Sequence, residues 1–346
     1  MRRTLLFLTL LLLVAPLSLR QGWSYLRRLM NVPTLTHDAT IIAVGEVTGV
    51  WEQGPEVSRS DGMSESGLLM RARFRVLRQL KGNAADELVF SFFRSNLGDS
   101  AFVGVNKGEF GLFFFRESGD GPVLASHDYP KIVAGHEPCF TAGEPLDRVV
   151  GELACVLQSP TSTVFDRISA LGALATVPAP SATEALERAA HELPSPLNLL
   201  AAIDLVARND ISGLALVEEG ARTAPLLKIS DNGHTIMEYH WGGTLAGIKD
   251  PAAIPSLERM LTFDDSEVRQ GAVEALRNTE SEAALKPLCK AVGDSDFWVR
   301  WKAAMALATI THQKEWYPVY DQFKDNEQLY LDHWRAWAAE RFSKTQ

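Results

Sequence analysis

The sequence is poor in cysteine, in basic charge and in long apolar runs. Three cysteines in 346 residues are too few for a disulfide framework. Lysines and arginines number 34 against 43 aspartates and glutamates, and the net charge of −9 argues against a dedicated nucleic-acid binder. The apolar run at residues 5–15 is too short for a comfortable transmembrane helix. An ordinary globular composition and this length predict two domains.

The N-terminus has the pattern of a targeting segment. Arg2 and Arg3 precede the apolar run and Pro16 ends it, as in the core of a signal peptide. No small-x-small cleavage site follows, so residues 1–30 are interpreted either as a cleaved signal peptide or as a retained membrane anchor. We therefore expect a periplasmic or secreted protein, or one that is anchored to the membrane by this segment alone.

Catalytic signatures are missing from the chain. It has no GxSxG, no phosphate loop and no GxGxxG after a strand. His234, Glu238 and His240 are the best candidates for metal ligands. Read as a helix, however, this stretch places His240 away from the face that His234 and Glu238 share. We predict no enzyme, no metal and no cofactor, and we interpret these residues as surface side chains.

Two of the three cysteines are candidates for a disulfide. Cys139 and Cys155 lie 16 residues apart, and in an exported protein they could pair. With His136 they could instead supply three ligands of a zinc site, but a fourth ligand is not evident. Cys289 occupies an apolar position of a predicted helix and is expected to be a buried free thiol.

Residues 37–130 have the pattern of β-strands, expected at 41–51, 68–80, 88–93, 110–116 and 123–126. Residues 55–67 are polar and predict a loop. In the second strand, Met70, Ala72, Phe74 and Val76 alternate with Arg71, Arg73 and Arg75. The arginines, with Arg78 beyond them, predict a basic stripe that contacts an acidic ligand or is simply solvated. Without helices between the strands, a small antiparallel barrel or sandwich is expected.

The order of three segments, IIAVGEV, RFRVLRQLKG and VGVNKGEFGLFFF, resembles OB-like barrels of secreted bacterial proteins. Those barrels share an architecture with netrin and tissue-inhibitor-of-metalloprotease modules. The protease inhibitors among them have a cysteine-rich N-terminus, whereas this chain has no cysteine before Cys139. The resemblance therefore implies the barrel and not protease inhibition.

A repeat of 31 residues organises the C-terminal half. Residues 252–276 and 283–307 align at one constant offset, which pairs Arg269 with Arg300 and Leu276 with Leu307. Such a period predicts a solenoid, in which each unit buries its apolar face against its neighbours. Residues 164–174 are interpreted as an earlier, degenerate copy, and the pattern predicts helices from residue 162 to the end.

The motifs DSEVR at 265–269 and DFWVR at 296–300 resemble HEAT-like repeats of the type described in phycobilisome lyases. Asp265 and Asp296 are expected to cap helices. The resemblance implies stacked helix pairs, with each motif arginine bonded to an acidic residue of a neighbouring repeat. Four carboxylates are available for this: Asp264, Asp265, Asp294 and Asp296. Lyase activity is not implied, because the repeat occurs in scaffolds of unrelated function.

The predicted architecture is an α+β multidomain chain. It comprises a β-barrel at 35–137, a linker at 138–160 and an α-solenoid at 161–346. Aromatic side chains crowd its C-terminal end, and on an exposed solenoid surface they would be interaction hot spots; in a capping unit they would only fill the core. The residues predicted to contact a partner are Trp298, Trp301, Trp316, Tyr317, Tyr320 and Trp334, together with Arg71, Arg73 and Arg75 of the barrel.

The function predicted from these patterns is a non-enzymatic scaffold that holds a protein partner along the solenoid. No nucleic-acid partner is expected, and the oligomeric state is left open. The alternative is an enzyme or an enzyme-associated factor, with a site at the interdomain cleft near His136 and His234.

Overall fold

A computed structural model describes residues 31–59, 65–95, 105–126, 131–137, 142–224 and 226–343. Contacts divide the chain into two compact units, Met1–Ala185 and Leu186–Gln346. The predicted boundaries at residues 137 and 160 rest on composition and remain a prediction. The predicted targeting segment lies outside the described residues. Among those that are described, no helix is both long and apolar enough to cross a membrane.

The first unit contains a small closed barrel of five strands, which confirms the predicted barrel and the α+β class. The strands are β1 (Ile41–Arg59), β2 (Glu65–Lys81), β3 (Glu87–Ser95), β4 (Phe110–Ser118), β5 (Gly121–Leu124) and β6 (Lys131–Ile132). Along the sheet the order is β1-β2-β3-β5-β4, and β4 pairs again with β1 to close the barrel. The short strand β6 extends the sheet beyond β4, and a parallel contact joins β3 to β5.

The first two strands are longer than their composition suggests. Residues 55–67 were expected to form a loop, but β1 and β2 continue to pair as far as Arg59 and Glu65. A hairpin ladder is held by backbone hydrogen bonds, which polar residues can make as well as apolar ones. The register shifts between Val44 and Gly45, where a Cβ would lie only 2.6 Å from the Phe74 ring. Glycine at this position therefore lets the bent strand approach β2 closely.

The barrel core is a cluster of phenylalanine rings. Phe74, Phe90, Phe113 and Phe115 are almost completely buried, and the rings of Phe74 and Phe113 lie 4.8 Å apart. Phe74 belongs to the face of β2 that was predicted to be apolar, while the arginines at 73 and 75 are exposed. The predicted alternation of β2 is thus confirmed.

Helices pack directly on this barrel within the first unit. They are α1 (Val32–Asp38), α2 (Pro145–Gln158) and α3 (Val164–Ala175). Arg78 of β2 donates from Nε and Nη2 to the buried carboxylate of Glu152 on α2, at 2.9 and 2.8 Å. Its Nη2 also donates to the carbonyl of Gly135 at 2.6 Å. Arg78 was expected to extend the basic stripe; it anchors α2 instead.

The second unit is built of paired helices in two layers. A helix at the unit boundary, α4 (Pro180–Glu192), precedes the others. They are α5 (Leu197–Ala207), α6 (Leu214–Thr223), α7 (Trp241–Leu245), α8 (Ile254–Met260), α9 (Ser266–Asn278), α10 (Leu285–Ala291), α11 (Phe297–Ile310) and α12 (Tyr320–Phe342). In one layer α9 lies between α7 and α11. In the other layer α8 packs against α9, and α10 packs against α11.

A β-hairpin interrupts the helices between α6 and α7. Its strands are β7 (Leu226–Asp231) and β8 (His234–His240), so the prediction of helices throughout residues 162–346 is wrong here. Asn232 and Gly233 form the turn with φ of +49° and +79°. These two left-handed residues are what a tight hairpin turn requires. The side chains of Leu227 and Ile229 are buried, so one face of the hairpin is part of the core.

Two arginines, one buried and one half-buried, connect successive helix pairs. Arg269 on α9 donates from Nε and Nη2 to Asp294, both at 2.9 Å, and from Nη1 to the carbonyls of Phe263 and Asp264. Arg300, 31 residues later, donates to the carbonyls of Asp294 and Ser295 and to the carboxylate of Glu327. The expected link between neighbouring repeats is thus present, and it uses Asp294. The predicted caps are confirmed as well, because the carboxylates of residues 265 and 296 accept from the first turns of α9 and α11.

Two carboxylates bound by arginines make this unit sensitive to acid. Hydrogen bonds from Arg259 lower the pKa of Glu218 below its ordinary 4.5, against the opposing effect of burial. Burial would raise the pKa of Asp294, but hydrogen bonds from Arg269 and from a backbone N–H outweigh it and lower the pKa below 3.8. A lowered folded-state pKa contributes stability above the unfolded value, and this stability is lost as the pH falls through the folded value.

We therefore expect the free energy of unfolding to decrease steeply as the pH is lowered below about 4.5. Urea unfolding followed by tryptophan fluorescence at a series of pH values measures this slope. The Glu218→Gln variant should show a shallower dependence, because it lacks one of the two carboxylates. Stability that is independent of pH in this range would contradict the prediction.

Candidate protein-binding face

The predicted partner-binding aromatics divide into buried and exposed groups. Trp334 is completely buried and belongs to the core of the C-terminal helices. Trp316 stacks on His333 at 3.6 Å between ring centroids, and burial lowers the pKa of that histidine. In contrast, Trp298, Tyr317 and Tyr320 are 42, 43 and 37% exposed. The capping explanation therefore fits Trp316 and Trp334, whereas the exposed residues offer a contact surface.

Three exposed or half-buried rings form what we call the aromatic face: Trp298, Trp301 and Tyr320. The rings of Trp298 and Tyr320 stack at 5.3 Å with an interplanar angle of 12°. Trp301 packs edge-on against both, at 5.6 and 5.9 Å. Its indole N–H donates to the carbonyl of Pro318 at 3.1 Å. This bond holds the segment that leads into α12 against α11.

Carboxylates of α9 lie beside the aromatic face. The 31-residue offset relates Glu267 to Trp298 and Glu274 to Met305, and α9 packs side by side with α11. Lys302 of α11 donates to Glu274 at 2.7 Å, which confirms that the two exposed helix surfaces adjoin. We call Glu267 and Glu274 the acidic row. The hairpin borders this row, because His240 on β8 lies 2.6 Å from the carboxylate of Glu267.

Tyr317 lies apart from the aromatic face. It lines a cavity of about 470 Å³ at the C-terminal end of α11. The other residues that line this cavity are Ala308, Thr309, His312 and Lys314. Tyr317 thus lines a surface feature that does not include Trp298 or Tyr320.

Comparison with known families agrees with the geometry of the second unit. Residues 223–308 and 264–338 match the model of HEAT repeats. The C-terminal region therefore contains HEAT repeats, and we call the matched residues 223–338 the HEAT region. No curated protein matches the chain. The HEAT region therefore confirms the predicted repeat, and the aromatic face lies on its last matched helices.

The arginines predicted for partner contact lie on the barrel. Arg75 donates to Glu46 at 2.6 Å, and Arg73 lies 3.3 Å from Glu87. Arg71 donates to an amide oxygen of Gln53. Because carboxylates of neighbouring strands offset much of the stripe's charge, the solvated interpretation fits its surroundings well. Its predicted role in binding an acidic ligand remains a prediction.

The metal candidates occupy a strand and not a helix. His234, Glu238 and His240 lie on β8, where alternate residues share a face. Glu238 pairs with Lys228 at 3.2 Å, and His240 with Glu267. Within the described ranges no three His, Cys, Asp or Glu side chains are grouped as metal ligands. The helix-based interpretation of this stretch is therefore wrong.

The cysteines have different surroundings. Cys139 lies outside the described residues, so its predicted disulfide with Cys155 remains a prediction. Cys289 is a free thiol on α10 and is half-buried. Burial raises its pKa to about 11, so the thiol is protonated and unreactive at neutral pH.

Sequence reasoning missed the acidic row and the hairpin beside it. Glu267 and Glu274 are seven residues apart and therefore share a helix face, which the repeat offset places beside Trp298. The hairpin had a local signal as well, since Asn-Gly between two short apolar segments is the strongest short hairpin signature.

Proposed function

We propose that this protein is a non-enzymatic scaffold that holds a protein partner on the HEAT region. Stacked repeats present a long continuous surface, which suits the binding of another chain. The observation that carries the proposal is the aromatic face, in which the exposed rings of Trp298 and Tyr320 pack against the half-buried Trp301. Exposed tryptophan and tyrosine rings are the side chains that contribute most to protein interfaces.

The proposal predicts that partner capture depends on the aromatic face. The double variant Trp298→Ala, Tyr320→Ala should retain at least about 30-fold less partner than the wild-type chain, the loss expected for interface hot spots. The measurement is quantitative affinity capture with full-length protein, with the retained proteins identified by mass spectrometry. Leu329→Ala is the matched control, because Leu329 is 59% exposed on α12 and does not belong to the face.

Each outcome bears on the proposal. If the double variant and Leu329→Ala both lose the partner, the loss points to an effect on stability. Thermal unfolding of both variants tests this, because a variant that unfolds at the wild-type temperature has lost the partner for another reason. Retention of the partner by the double variant moves the binding site away from the aromatic face and contradicts the proposal.

We also propose that the scaffold works outside the cytoplasm. The support is the sequence of the N-terminus, where Arg2 and Arg3 precede an apolar segment that ends at Pro16. A fusion of residues 1–30 to a reporter that is active only after export should be active. A fusion with glutamates in the middle of the apolar segment should not. An inactive wild-type fusion would place the protein inside the cell.

A further inference from the structure

The surface around the aromatic face indicates what kind of chain binds there. We propose that the face and the adjoining acidic row bind a basic segment of the partner, with lysine or arginine residues interspersed with large apolar ones. This inference rests on the proposed function and specifies the chemistry of the partner. Two observations support it: the negative charge of the surface and the solvent-exposed aromatic rings.

The acidic row is the first element of the argument. Glu267 is 58% exposed, and its neighbour His240 is charged only when protonated. Exposed carboxylates at Asp264 and Asp321 lie close in sequence to Glu267 and Tyr320. A segment of partner chain laid over Trp298 would therefore meet negative charge, and a basic segment would be attracted to it.

Most cations near the face are bound within the protein. Lys324, one helical turn after Tyr320, is exposed, but the exposed carboxylates of Asp321 and Asp325 flank it in sequence. Arg269 and Arg300 are held by Asp294 and Glu327, and Lys302 by Glu274. Arg277 lies ten residues after Glu267 on α9, which is about 15 Å along the helix. The end of the surface that carries Glu267 and Trp298 thus has a net negative field, and an acidic partner segment would be repelled there.

The aromatic rings are the second element. Trp298 and Tyr320 stack on each other, and their exposed fractions leave ring surface open to solvent. A lysine or arginine over the face of an indole or phenol ring is attracted by the ring quadrupole. The half-buried side chains of Trp301 and Met305 continue this surface along α11 and suit apolar partner residues. One segment of a partner can therefore contact both the aromatic face and the acidic row.

The extent of the surface sets the length of the segment. The exposed side of α11 is about 21 Å long for its 14 residues. An extended peptide covers this distance with about six or seven residues and a helix with about fourteen. A probe of about fourteen residues is long enough for either conformation.

Fluorescence anisotropy of labelled peptides on the full-length chain tests the proposal. Three probes share the same leucine positions and carry lysine and arginine, glutamate, or glutamine elsewhere. We expect saturable binding of the basic probe alone. Trp298→Ala should weaken it about 30-fold and Glu267→Gln about fivefold. Leu329→Ala should leave it unchanged, and added salt should weaken it.

Other outcomes overturn the inference in distinguishable ways. Equal binding of the basic and glutamine probes, or preference for the acidic one, refutes the charge argument while a Trp298-dependent partner still supports the scaffold. Binding of the basic probe that Trp298→Ala does not weaken places its site elsewhere. Concentration-dependent dimerisation that Trp298→Ala abolishes, measured by light scattering, makes a second copy of this chain the occupant and also overturns the inference.

Discussion

Replacing Arg269 by alanine is expected to lower the free energy of unfolding of the HEAT region by about 3–5 kcal/mol. The side chain is only 10% exposed and makes four hydrogen bonds, two of them to the carboxylate of Asp294, which is 11% exposed. Its removal leaves the Asp294 carboxylate without its cationic partner, although the backbone N–H of Asp296 still donates to it, and removes the side-chain donor of two backbone carbonyls. Six of the eight tryptophans lie in the second unit, so tryptophan fluorescence during urea unfolding reports mainly on this unit.

An exposed ion pair of the same region is the control. Lys290 and Glu258 also connect successive repeats at 2.7 Å, but their side chains are 64 and 40% exposed. Lys290→Ala should therefore cost less than about 1 kcal/mol. Similar losses for the Arg269 and Lys290 variants would show that burial of the arginine does not decide the stability of the repeat junction.

The repeat itself could be predicted from the sequence because its signals are local. Capping by Asp265 and Asp296 depends on a few neighbouring backbone groups, and the buried stripe depends on helical spacing alone. The acceptor of Arg269 was not local. Four nearby aspartates could have accepted its hydrogen bonds. Asp294 does so because stacking of the next helix pair brings its carboxylate oxygens within 2.9 Å of Nε and Nη2 of Arg269. Such a choice depends on packing, which spacing along one chain does not determine.

At the hairpin, the 31-residue repeat drew attention away from the two-residue alternation that is typical of a β-strand. The 31-residue repeat led to helices being expected before residue 250 as well, although Leu227 and Ile229 alternate with polar residues. Alternation over so few residues is weak evidence against a helix, but the Asn232-Gly233 turn after it favours a hairpin strongly. The helical interpretation of His234 and Glu238 was wrong for the same reason, because the face that residues share depends on the element that carries them.

The aromatic residues could have been divided partly by spacing. Tyr330 and Trp334 are four residues apart on α12, which is the spacing of one helix face, and both are buried. Phe323 is buried as well, but the non-helical Asn326 separates it from them along the chain. Trp298 and Trp301 are three apart on α11, so they also share a side, and it is the side opposite the buried Ala303 and Leu307. Tyr320 could not be assigned in this way, because it meets Trp298 only through the fold of the segment that joins α11 to α12.

Substitution of Gly271 by alanine is expected to destabilise the HEAT region by about 3 kcal/mol, the upper end of the range for overpacking. Helix α9 crosses α7 at this residue, and a Cβ would lie 2.5 Å from the Cα of Gly242. That neighbour is backbone, so no side-chain rotation can relieve the contact. The helices would have to separate, with loss of packing around the buried Trp241. The gain of about 1 kcal/mol in helix propensity from alanine does not offset this.

The adjacent glycine in α7 provides the matched test. A Cβ on Gly243 would have nothing within 4 Å, so Gly243→Ala should be neutral or should stabilise the helix by up to about 1 kcal/mol. Urea unfolding of both variants, followed by tryptophan fluorescence, compares the two substitutions directly. If Gly271→Ala is as stable as Gly243→Ala, the two helices have room to move apart. Their close approach would then not be what requires glycine at this crossing.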